Sequence, residues 1–124
     1  MNKQRPINLN LLTLKFPITA IVSILHRISG IFLFLCIPFF LWGLHLSLSS
    51  EQNFETLKEF LLSPVVKFFV WFFLSAFIYH LFAGIKHLLM DLHIGENLKG
   101  SRVMSFLTLF FSGLFIVMAG YWLW

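Results

Sequence analysis

The chain has one cysteine, Cys36, so no intrachain disulfide can form, and a small apolar packing role is the expected one. Charge is scarce as well. Only 11% of the 124 residues are acidic or basic, while 59% are hydrophobic. A soluble domain carries about 25% charged residues, so a water-soluble fold is excluded. No acidic or basic residue stands between Ile28 and Ser50, or between Val103 and Trp124. The opening MNKQRPINLNLLTLKFP has no unbroken apolar stretch before a small-residue cleavage site, so a removable signal is not expected. It also lacks the Ser- and Arg-rich amphipathic character of an organellar transit peptide, which points to a bacterial protein. Internal repeats and low-complexity tracts are missing too, phenylalanine richness aside.

Apolar length is abundant. Seventeen phenylalanines are more than so small a core can hide, so many must face lipid. Three stretches, about 18–48, 64–92 and 103–124, can each cross about 30 Å of hydrocarbon at 1.5 Å per residue. The expected fold is an all-α integral membrane protein with three transmembrane helices in one domain, residues 1–124. Pro38 is expected to kink the first helix, and Pro64 suits the first turn of the second. Between them, Ser49 and Gln52 fit a weak capping box, and Phe54, Leu57 and Leu61 recur at helical spacing. That connection reads as a short interfacial helix or a plain loop.

The basic residues set an orientation. Lys3, Arg5 and Lys15 precede the first helix, and Lys99 and Arg102 fall in the connection after the second. The other connection sets Lys58 against Glu51, Glu55 and Glu59. The positive-inside bias places the N-terminus in the cytoplasm and the C-terminus, with Tyr121, Trp122 and Trp124, at the outer face.

Ionisable groups inside a membrane need a partner or a purpose. In SILHRISG, residues 23–30, Ser23, His26, Arg27 and Gly30 share one helical stripe. The second helix returns to the same membrane level with His80, Gly84, Lys86, His87 and Asp91. His80 and His87 lie about 10.5 Å apart along the axis, too far to chelate one metal ion. That separation is close to the distance from a haem iron to its propionate edge, and Gly84 leaves room for a flat macrocycle. The same residues also fit blander roles. His80 reads equally as an interhelical hydrogen-bonding residue, and Arg27 and Lys86 as cations snorkelling to headgroups. His45 and His93 are expected to be interfacial. Asp91 is expected to pair with a cation. Ser105, Thr108 and Ser112 read as a packing stripe.

Two segments carry a resemblance. RPINLNLLTLKFPITAIVSILHRISG, residues 5–30, and HLFAGIKHLLMD, residues 80–91, resemble the signatures of the cytochrome b subunits of succinate dehydrogenase, the larger membrane anchors of respiratory complex II. The proteobacterial members are the most similar, and the likeness spans essentially the whole chain. It implies three helices contributing to a heteromeric bundle in the bacterial inner membrane, with a flavoprotein, an iron–sulfur protein and a smaller membrane anchor as partners. No nucleic acid is implied. The resemblance makes His80 one axial ligand of haem b, shared with the smaller anchor, and puts His26, Arg27 and His87 beside the propionates. Ser23 and Arg27 would line the ubiquinone site. Flavin and iron–sulfur clusters would belong to the partners only, and no residue of this chain would be catalytic by itself. Lys86 departs from the family's usual arginine and loses its bidentate fork. The alternatives are a fumarate reductase anchor, an anchor that has lost its haem, or a transporter or channel subunit with the histidines and Arg27 on an ion path.

Overall fold

The computed structural model describes residues 17–124, and Lys3, Arg5 and Lys15 lie outside the described residues. The regular elements are α1 (Ile18–Ser49), α2 (Glu51–Leu62), α3 (Pro64–Asp91) and α4 (Leu98–Leu123). Helices α1, α3 and α4 are long and apolar enough to cross a membrane, with 32, 28 and 26 residues. At 1.5 Å per residue they measure about 48, 42 and 39 Å, so each reaches past the hydrocarbon into the headgroup layer or tilts within it.

The connection between the first two spans is a helix, α2. Ser50 alone separates α1 from α2, and its hydroxyl accepts from the Asn53 amide at 3.0 Å. The cap therefore sits one residue beyond the expected Ser49, which instead accepts from the Asn53 side chain at 2.9 Å. Glu51 in the first turn suits the positive helix end. Leu57, Phe60 and Leu61 turn toward α1 and α3, where they join Phe39, Phe40 and Val70. Ser63 then hands over to Pro64, which needs no hydrogen-bond acceptor at the start of α3.

The connection between α3 and α4 is shorter than the charge pattern suggested. Asn97 caps α4 by accepting from the Gly100 amide at 2.6 Å, so the helix begins at Leu98 and not near 103. Lys99 and Arg102 thus occupy the first turns of α4. The turn itself depends on two left-handed residues, His93 at φ 65° and Gly95 at φ 69°. A side chain on Gly95 would run into Met104, and one on Gly100 would come within 2.9 Å of the Gly95 Cα. Glycine at both positions lets α3 and α4 close into a hairpin.

Sorting within the bundle is inverted relative to a water-soluble protein. Among the described residues only Val22 and Ala83 are buried apolar ones, while Ser29, Lys86, Ser101, Ser105, Thr108 and Ser112 are buried polar ones. The small stripe on α4 lets its backbone approach closely. Ser105 and Thr108 satisfy their hydroxyls on the carbonyls of Ser101 and Met104. Two longer bonds lock the spans together. The Tyr79 hydroxyl donates to the Val22 carbonyl on α1 at 2.6 Å, and Trp71 Nε1 donates to the Ile116 carbonyl on α4 at 2.9 Å. Pro38 removes one donor from α1, but the helix runs on through it.

Candidate functional site

The α1–α3 contact brings three histidines from two helices into one array. The His26 ring stacks on His80 with centroids 4.2 Å apart and planes 14° from parallel. His87 lies on the other side, with its centroid 6.0 Å from that of His26 and a 19° tilt. Glycines make this approach possible. A Cβ on Gly30 would stand 3.1 Å from His80 Cε1, and one on Gly84 would stand 3.6 Å from His26 Nε2. Gly84, read in the sequence as room for a macrocycle, makes room here for the His26 imidazole.

The geometry assigns the His80 tautomer. Its Nδ1 lies 3.2 Å from the His26 carbonyl oxygen and 3.0 Å from the Ser29 hydroxyl. A carbonyl only accepts, so Nδ1 carries the proton. The Ser29 hydroxyl already donates to that same carbonyl at 2.8 Å, which leaves a lone pair for the ring. Nε2 therefore bears an unprotonated lone pair and has no hydrogen-bond partner among the described residues. An apolar groove of about 450 Å³ opens between α1 and α3 from Gly30, lined also by Leu33, Phe34, Phe73 and Phe77 among others.

At the His87 end of the array lies a polar cleft of about 480 Å³. Ser23, Lys86, His87, Asp91, Glu96 and Ser101 contribute to its walls. Lys86 is only 6% exposed, so it does not snorkel into the headgroup layer. Its stem also lines a second, apolar cleft beside Met104 and Thr108. Asp91 lines the cleft and pairs with no cation among the described residues.

The sequence-read residues thus fall into groups. His26, His80 and His87 are together, and Ser23 joins Lys86 and His87 in the cleft. Arg27 stands apart, exposed on the flank of α1 and off the cleft wall. His45 is exposed. His93 is exposed too, and its Nδ1 lies 2.7 Å from Glu96 Oε2. Sequence reasoning missed Ser29 and Tyr79, which tie α1 to α3. The available signal for Ser29 was a small polar residue beside a glycine, three positions from His26 on one helix face.

The chain is similar to known proteins over most of its length. The family model described as "Succinate dehydrogenase/Fumarate reductase transmembrane subunit" matches residues 1–120. The chain is 45% identical over 125 residues to the succinate dehydrogenase cytochrome b556 subunit of Coxiella burnetii, covering 100% of both chains. It is 36% identical to the cytochrome b560 subunit of Reclinomonas americana, over 96% of this chain and 86% of that one. A cytochrome b556 subunit of Rickettsia prowazekii is 31% identical, over 81% and 77% respectively.

Proposed function

This chain belongs to the succinate dehydrogenase/fumarate reductase transmembrane subunits, and from that premise we propose that it is the haem b-carrying larger anchor of a succinate:ubiquinone oxidoreductase. The observation that carries the proposal is His80, with Nδ1 anchored and Nε2 free. An axial ligand needs that tautomer. The groove beginning at Gly30 offers an apolar wall for a tetrapyrrole. These residues therefore fit haem. His80 would hold the iron from one side, with the smaller anchor supplying the other ligand. His26, His87 and Arg27 would meet the propionates, which call for cationic or N–H donors. Bound there, haem b would supply a one-electron carrier within the membrane.

Ser23 and Arg27 are the proposed ubiquinone residues. Reduction of a quinone takes two electrons and two protons, and negative charge builds on its carbonyl oxygens meanwhile. The Ser23 hydroxyl can donate to a carbonyl and turn as that oxygen becomes a phenol. Arg27 holds a permanent charge near the developing anion but does not give up a proton. The protons come from elsewhere, through water or a partner subunit. The flavoprotein and iron–sulfur partners would dock on the cytoplasmic side, where Lys99 and Arg102 stand at the start of α4. The inner membrane, with the C-terminus outside, is the location these charges support.

Reduced-minus-oxidised spectra of the purified complex test the reading. His80→Leu is expected to abolish or alter the b-type bands, while His45→Leu leaves them intact. Parent-like bands and haem content in His80→Leu would show that another residue holds the iron.

A further inference from the structure

Ser29 has no role in the reading above, yet it is buried, 8% exposed, and its hydroxyl touches the ring proposed to hold the iron. Its environment leaves it one orientation. The hydroxyl proton is committed to the His26 carbonyl at 2.8 Å. The oxygen lone pair then faces His80 Nδ1 at 3.0 Å, while the same carbonyl approaches Nδ1 at 3.2 Å. Ring, hydroxyl and carbonyl close a three-membered set in which the hydroxyl proton goes to the carbonyl and the Nδ1 proton is shared between carbonyl and hydroxyl. Because Ser29 and His26 are both on α1, the cradle belongs to a different helix from the histidine it holds.

We infer that Ser29 is a positioning residue that holds the His80 ring by its Nδ1–H and tunes the reduction potential of the iron His80 holds. This rests on the haem reading. The hydroxyl draws on the Nδ1 proton, which enriches the Nε2 lone pair. Ferric iron takes more electron density from the ring than ferrous iron, so the Nδ1–H bond to Ser29 is stronger in the oxidised state. Ser29 therefore stabilises the ferric form. The His26 carbonyl supports the ring in parallel, so removal of the hydroxyl weakens the cradle without abolishing it.

The test uses the intact complex, with haem content, band position and a redox titration as readouts. Ser29→Ala deletes only the oxygen and cannot overfill the site. It is expected to keep haem and to raise the potential. The ferric-to-ferrous ratio at a fixed potential should fall severalfold, short of the roughly tenfold that a whole hydrogen bond of ordinary strength would give, because only the difference in bond strength between the two oxidation states counts; tenfold is about 59 mV for one electron. Ser29→Thr, which keeps the hydroxyl, should titrate as the parent does. Haem retained in Ser29→Ala with an unchanged or lower potential overturns the inference. Should Ser29→Ala lose haem, Ser29→Thr decides: haem restored at the parent potential supports a bond through the hydroxyl, and haem still missing assigns Ser29 to packing alone. Failure of the underlying reading has a separate signature, since His80→Leu would then keep normal haem whatever Ser29 does.

Discussion

Gly30→Ala adds one methyl group where α1 meets His80. The new Cβ would stand 3.1 Å from His80 Cε1, against about 3.5–4.0 Å for an ordinary carbon contact. The ring must retreat from α1 by roughly half an ångström. Both acceptors of its Nδ1 proton are on α1, at 3.0 and 3.2 Å, so the same retreat stretches both bonds. The longer one passes beyond useful length. Overpacking costs about 1–3 kcal/mol, and weakening two intramembrane hydrogen bonds adds about 0.6 kcal/mol each. An expected loss of about 2–4 kcal/mol follows, read as reduced thermal stability of the complex. Haem affinity should fall by about 10–100-fold, as when a metal-ligating histidine loses its support. Gly43→Ala and Gly113→Ala are the controls, because a Cβ at either position meets nothing within 4 Å. The assay is haem per complex and melting temperature for all three variants. If Gly30→Ala matches the two controls, His80 is not held against α1 and the argument from close approach fails.

Three further outcomes follow. Ser23→Ala should lower quinone reduction while leaving succinate oxidation by an artificial acceptor near normal, and Arg27→Leu should do so more severely; full quinone reduction with unchanged inhibitor sensitivity in both would remove the quinone site from this chain. Lys86→Met keeps the buried stem and deletes the charge, so it should reduce haem retention or assembly several-fold while Lys86→Arg is tolerated; a parent-like Lys86→Met complex would leave the ammonium without a role. A reporter fused after Trp124 should read out on the periplasmic side and one between Gly95 and Gly100 on the cytoplasmic side; reversed signals would put the histidine array at the opposite membrane face.

The three spans were legible because lipid demands long apolar runs, and the shared membrane level of His26 and His87 followed from topology alone. Helical period also marked which residues of α1 and α3 occupy one stripe. It did not show what those stripes meet. That His26 fills the space over Gly84, while Gly30 receives His80, depends on the axial offset between two helices, which no periodicity records. Arg27 illustrates the same gap, since one turn beyond Ser23 it falls on the exposed flank. The start of α4 was misplaced for a local reason. Lys99, Gly100 and Arg102 look like loop residues, and the Asn97 cap that places them in a helix is a single side chain.

The inverted sorting of this bundle says where its sequence is free to drift. Leu48, Phe69 and Phe110 are each well over half exposed, and lipid accepts leucine, isoleucine or valine there equally well. Their identity is a composition with no message in it. The positions with the least room for exchange are the unassuming ones: Ser29 and Gly30 on α1, Ala83 and Gly84 on α3, and Ser101, Ser105 and Thr108 on α4. Two homologues can therefore differ at most of their bulky residues and still assemble the same contacts. A tally of shared phenylalanines would misjudge their kinship, and a comparison restricted to the small residues would find it.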